Sequence, residues 1–219
     1  MTALNKNSLI IAAAFLLFSM MVLIMPYQQQ QQSHLVYAGR TCIDYDQTEN
    51  TITITCDTSS SFRDVADTIN DQAILSNLGN GEYLLNANLQ VDDDTTFSMS
   101  QNDDGITWLK IAGANGIIVD GKIEIDGVKI TSWDTQTDSP VSQNSLGTIP
   151  RAYINLRGSD SSGGGGFVRN SEIAYLGYQD FGKRGFDLFG GGGDRRIHDF
   201  EIRDSKFHDM WFAFYSRGA

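Results

Sequence analysis

Few side chains in this 219-residue sequence can move a proton near neutrality. His34 lies in a polar stretch far from the rest. Acid or base chemistry would therefore fall to His198 or His208, to a carboxylate such as Asp187 or Asp209, or to Tyr175, Tyr178 or Tyr215. Ser159, Ser161 and Ser162 lack the strand–turn–helix setting of a serine nucleophile. The oxygen-rich runs Asp92-Asp93-Asp94 and Asp103-Asp104 leave Ca2+ as a weak option. Neither has the alternating ligands and closing Glu of a calcium loop, so they read better as solvated turns, and no metal site or other cofactor is expected. The tetraglycines Gly163 to Gly166 and Gly190 to Gly193 are not each followed by a helix, as a phosphate cradle requires, and read as protruding loops.

The stretch from Arg169 to Gly218 differs in kind. It carries Tyr175, Tyr178, Phe181, Phe186, Trp211, Phe212, Phe214 and Tyr215 together with Lys183, Arg184, Arg195, Arg196, Arg203, Lys206 and Arg217. Aromatic planes stack on sugar rings, and cations pair with carboxylates. Phe186, Phe200, Phe207, Phe212 and Phe214 have polar neighbours on either side and read as core; the tyrosines are open to either role.

The chemistry needs elements to hold it. Ser60 or Ser61 can cap a short amphipathic helix in which Phe62, Val65, Ala66 and Ile69 share a face. No convincing helix follows. From Tyr83 onward there are short apolar bursts between Gly, Asn, Asp and Ser, which indicate either an antiparallel sandwich or barrel, with Asp120-Gly121 and Asp126-Gly127 as hairpin turns, or a solenoid of parallel strands. The words Arg169-Asn170-Ser171-Glu172-Ile173 and Arg203-Asp204-Ser205-Lys206-Phe207 match position by position and favour the solenoid, with Asn170 and Asp204 at equivalent turns.

The N-terminus is a membrane signal. Leu9 to Met25 is apolar except for Ser19, follows Lys6 and precedes Pro26. It either remains as an anchor or is cut near Ala38, and Gln28 to Gln32 form a polar stalk. Cys42 and Cys56 are the only cysteines, and the alternation Thr51 to Thr55 brings the second back toward the first, so a disulfide in an oxidising compartment is expected. With 27 acidic and 16 basic residues and a net charge of −11, nucleic acid is a disfavoured partner.

At certain words the chain resembles the right-handed parallel β-helix proteins of the mannuronan C5-epimerase group and, more loosely, pectate-lyase-like enzymes. These are Val128-Lys129-Ile130-Thr131-Ser132-Trp133-Asp134, Arg151-Ala152-Tyr153-Ile154, Asn170 to Tyr178 (Asn-Ser-Glu-Ile-Ala-Tyr-Leu-Gly-Tyr) and Phe212-Ala213-Phe214-Tyr215-Ser216. The resemblance implies a groove that binds a polyuronate, lined by Tyr175, Tyr178, Lys183, Arg184, His208 and Tyr215. It also implies a later coil bearing a catalytic Asp-Pro-His-Asp word, and this chain stops at Ala219 before such a coil.

The expectation is therefore an all-β, right-handed parallel β-helix with a short N-terminal capping helix. Its parts are a signal or transmembrane segment (1–27), a stalk (28–38), a cap with the cysteine loop and helix (39–82) and a β-helix incomplete at its C-terminus (83–219). It would lie outside the cytoplasm, anchored or secreted, and bind a uronate-containing polysaccharide without catalysis. The alternative is a C5-epimerase or lyase that abstracts the C5 proton. Self-association through an open C-terminal coil is also expected.

Overall fold

The computed structural model describes residues 42–158, 164–190 and 197–217; the leader and stalk lie outside them, as do Arg195, Arg196 and most of the second tetraglycine. Among the described residues, no helix is long and apolar enough to cross a membrane.

The strands stack into three sheets. Sheet A contains β1 (Ile43–Asp46), β2 (Thr51–Ile54), β6 (Asn88–Val91), β9 (Gly116–Val119), β13 (Tyr153–Leu156), β16 (Gly185–Phe189) and β19 (Phe212–Arg217). Sheet B contains β3 (Ser59–Ser61), β7 (Thr96–Ser100), β10 (Lys122–Asp126), β14 (Gly164–Arg169) and β17 (Ile197–Arg203). Sheet C contains β4 (Leu75–Gly79), β5 (Glu82–Leu85), β8 (Trp108–Ala112), β11 (Lys129–Asp134), β15 (Glu172–Ala174) and β18 (Lys206–His208), with β12 (Ser139–Pro140) pairing to the end of β11. The chain visits A, B and C in turn, and neighbours within a sheet are parallel except in the pairs β1–β2, β4–β5 and β11–β12. This is a parallel β-helix.

Alternation along each strand builds the core. In sheet A, Ile52, Leu89, Ile117, Ile154 and Phe186 stack in register, as do Ile54, Val91, Val119 and Leu156, all essentially without solvent contact. In sheet C, Leu109, Ile130 and Ile173 do the same, and the half-buried Phe207 continues their column. Each rung covers the apolar surface of the one before it, which is what stabilises a solenoid. Helix α1 (Phe62–Ile69) starts at a capping box in which Ser61 and Asp64 satisfy each other's backbone N–H groups, and it buries Phe62, Val65 and Ile69. Cys42 and Cys56 form a disulfide beside the β1–β2 hairpin.

The matched words fall where stacking requires. Arg169 pairs with Arg203 and Glu172 with Lys206, and the Ser171–Ser205 spacing is 34 residues. Asn170 and Asp204 occupy the same corner, with φ of 49° and 51°. This left-handed backbone suits Asn and Asp better than most residues.

Four expectations change. Asp120-Gly121 and Asp126-Gly127 are corners between strands of different sheets, not hairpin turns. A second helix, α2 (Gln101–Asp104), forms where Ser100 caps Asp103; at four residues it is too short to show periodicity. Gly164, Gly165 and Gly166 belong to β14 and do not form a protruding loop. A Cβ on them would lie 2.6, 2.2 and 1.8 Å from backbone atoms of Gly158, His198 and Ile123, so the glycines allow close passage of neighbouring coils. Phe212 and Phe214 are exposed, at 44% and 39%, although Phe214 packs on Phe186 and Phe207.

Candidate binding face and its buried acid

The outer side of sheet A and the turn beside it gather four of the six suspected groove residues, Tyr178, Lys183, Arg184 and Tyr215. Asn155 on β13, Asp187 on β16 and Tyr215 on β19 are register neighbours, and the first two alternate with the core residues Ile154, Leu156 and Phe186. The turn from Tyr178 to Arg184 folds back over this row. It is closed by Tyr178 N–H donating to the Lys183 carbonyl (2.9 Å) and Lys183 N–H to that of Asp180 (3.2 Å). Gly182, at φ +73°, lies so close to Asn155 that a Cβ there would approach its side-chain amide to 2.9 Å.

This turn presents cations beside rings. Lys183 Nζ lies 5.7 Å from the centre of the Tyr153 ring, 5.9 Å from that of Tyr178, and 3.3 Å from Asp180. Burial lowers the proton affinity of this ammonium, but its contacts with Tyr178 and Asp180 more than offset that and hold its pKa above the ordinary value. The Arg184 guanidinium stacks 4.2 Å over Tyr215, whose ring also meets Phe189 and Phe212. Tyr153, buried beside them, is pushed up by desolvation.

Beneath the turn lies Asp187, with no solvent contact. Its Oδ2 accepts from Arg184 N–H at 2.9 Å, while its Oδ1 and the Oδ1 of Asn155 are both buried without a hydrogen-bond partner. Burial pushes Asp187 up to about 6, with the Arg184 amide and charge pulling the other way.

Tyr175 and His208 lie in a separate group at the end of sheet C. Their rings meet edge to face with centres 5.9 Å apart, and His208 sits between Asp209 (Nδ1 to Oδ2, 2.7 Å) and Glu172 (Nε2 to Oε1, 3.3 Å). Contacts with His208 and Tyr175 hold Asp209 below the usual carboxylate range, and Lys129 at 2.9 Å does the same for Glu172. The six suspected groove residues thus divide between this group and the face that carries Lys183, Arg184 and Tyr215.

Two features escaped sequence reasoning. Arg151, 1% exposed, donates to the carbonyls of Gly177 (2.8 Å), Leu176 (2.8 Å), Asp209 (2.9 Å) and Val141 (3.3 Å). Burial lowers its pKa to about 10, partly opposed by Asp209. On sheet C, Lys110 Nζ lies 4.3 Å from the Trp108 ring and 4.4 Å from that of Trp133, with Glu82 at 2.8 Å. The spacings Trp108-x-Lys110 and Lys129-x-Thr131-x-Trp133 place these groups on one strand face and are the signal that could have revealed them. Among the described residues, no group of three or more His, Cys, Asp or Glu could hold a metal ion.

No protein-family model and no curated protein matches the chain. Solved structures do. The periplasmic alginate epimerase AlgG superposes with a TM-score of 0.67 at 19% identity, over 76% of this chain and 39% of that one. A single-substitution variant of AlgG gives 0.66 at 18%, and a double-substitution variant 0.67 at 19%. The likeness establishes the parallel β-helix fold, and this chain spans about two-fifths of the length of those structures.

Proposed function

We infer that the chain is a non-catalytic binding domain for a uronate-containing polysaccharide, and that the outer face of sheet A holds the sugar. The observation that carries this reading is the pairing of a cation with a ring twice on one face, Lys183 with Tyr153 and Tyr178, and Arg184 with Tyr215. A polyuronate repeats a carboxylate and an apolar ring face along its length, and such pairs suit both. The fold shared with AlgG, an alginate epimerase, supports a polyuronate as the ligand class. Tyr175 and His208 extend the reading to the end of sheet C. Titration calorimetry of the purified full chain with oligomannuronate and oligogalacturonate tests it, and absence of heat with both would end it.

A second reading is C5-epimerase or lyase chemistry, favoured by one observation: a buried carboxyl, Asp187, poised near neutrality at this face. NMR detection of C5 inversion or of an unsaturated product on polymannuronate decides it.

The Cys42–Cys56 disulfide supports an extracytoplasmic site for the domain, where such a bond persists. The apolar run 9–25 supports anchorage or export, and intact mass of the mature protein distinguishes the two. The exposed Phe212 and Phe214 support self-association through that face, which light scattering tests.

A further inference from the structure

We propose that Asp187 is protonated in the binding-competent protein and donates its hydrogen to Asn155 Oδ1, so that loss of this proton switches off polyuronate binding at the turn above. The regulation rests on the binding face just described.

Two oxygens set the chemistry. Asn155 and Asp187 are register partners on adjoining parallel strands, and their Oδ1 atoms are both buried and partnerless. Two acceptors left this way on neighbouring strands are costly, and they repel. A single proton on Asp187 turns one of them into a donor and satisfies both. The remaining oxygen, Oδ2, already has its donor in the Arg184 N–H. The carboxyl group is then fully bonded and neutral, as its lack of solvent contact favours.

The charged and titratable groups around it fix the sign of the effect. Above Asp187 the turn carries Lys183, Arg184 and Asp180; on β13 lies Tyr153, and on β19 Tyr215 and Arg217. With Asp187 neutral, Arg184 is free to meet a ligand carboxylate. Once ionised, Asp187 places a negative charge beneath the same cations, competes for Arg184, and repels both Asn155 Oδ1 and the ligand. Uronate carboxylates have about the acidity of an α-carboxyl group, near 3.5, and stay charged through the Asp187 transition. Binding should therefore tighten as pH falls through that transition, although the ligand does not change. The variant Asp187→Asn separates the Asp187 transition from every other pH dependence of the chain. Its amide reproduces the protonated acid, donating to Asn155 and accepting from Arg184, and it cannot ionise.

Carboxyl 13C NMR of aspartate-labelled full chain, with Asp187→Asn assigning the resonance, reads the proton directly. The expected midpoint lies near 6, and a midpoint near 4 overturns the proposal. Calorimetry with oligomannuronate at about pH 5 and about pH 8 should show a roughly tenfold loss of affinity in the native chain and little change in Asp187→Asn. Identical pH profiles for the two proteins overturn it. If neither protein binds at either pH, the binding reading itself fails, while the NMR midpoint still decides whether the Asp187 proton is held.

Discussion

The Arg151 guanidinium donates through Nε to the carbonyl of Gly177, 2.8 Å away, and through its other nitrogens to Leu176, Asp209 and Val141. One buried cation thus gathers the turn after β15, the end of β18 and the long connection before β13. Arg151→Met removes these donors: the Gly177 and Leu176 carbonyls keep Gln143 and the Trp211 N–H, while those of Asp209 and Val141 lose the bond that ties their segments in. It should cost about 2–4 kcal/mol in urea unfolding, seen as a lower midpoint at an unchanged slope. Arg151→Lys, lacking the planar fork, should recover only part of this.

Gly177 is fixed from a second side. Its φ is +87°, and a Cβ would approach the Arg184 carbonyl to 2.0 Å. Gly177→Ala must push the Tyr178–Arg184 turn outward. Thermal stability and polyuronate affinity should fall together, while the far-UV circular dichroism stays that of a β-helix.

Asp187 makes stability depend on pH. Its folded pKa of about 6 exceeds the ordinary aspartate value of 3.8, so the folded state holds the proton more tightly than the unfolded chain. That contribution is complete below about pH 4 and is lost as pH rises through 6, amounting to on the order of 3 kcal/mol. Melting temperatures of Asp187→Asn should lack this decline and exceed those of the native chain at neutral pH.

On the binding face, Tyr215→Ala removes the ring under Arg184 and should weaken oligouronate binding by about 1 kcal/mol, close to fivefold in Kd. Lys183→Ala should instead flatten the salt dependence of binding, because it removes a partly exposed charge. Calorimetry at two ionic strengths separates the two effects.

Reduction of the Cys42–Cys56 bond reopens a loop with a sequence separation of 14, and the loop entropy regained by the unfolded chain should destabilise the domain by about 3 kcal/mol. Unfolding with and without reductant measures it.

The strands were legible because alternation and punctuation are local. Bursts such as Ile117-Ile118-Val119 and Glu172-Ile173-Ala174 coincide with strands, and the Asn170 and Asp204 words coincide with stacked corners. What stayed hidden depends on contacts between coils. Period-two alternation places Asp187 outward, as a solvated residue would be; its lack of solvent contact goes with the overlying turn, whose Arg184 N–H donates to it. Arg151 reads as an ordinary surface charge until three distant segments converge on it. Gly164 to Gly166 read as a loop because the need for glycine comes from the adjacent coil's backbone. The tyrosines divide between two sites because sequence proximity does not tell which edge of a rung a side chain overhangs.

The corner from sheet B to sheet C is two residues long in three successive rungs, Gly127-Val128, Asn170-Ser171 and Asp204-Ser205, laced by Ser171 N–H donating to Ser205 Oγ and Val128 N–H to Ser171 Oγ. It works like the spine of a bound book. The long connections between β11 and β13 and between β15 and β16 both enter sheet A, and those between β13 and β14 and between β16 and β17 leave it. Insertions can therefore lengthen the pages on either side of that sheet without disturbing the spine, so the two banks of its outer face can be rewritten while the pitch of the stack is preserved.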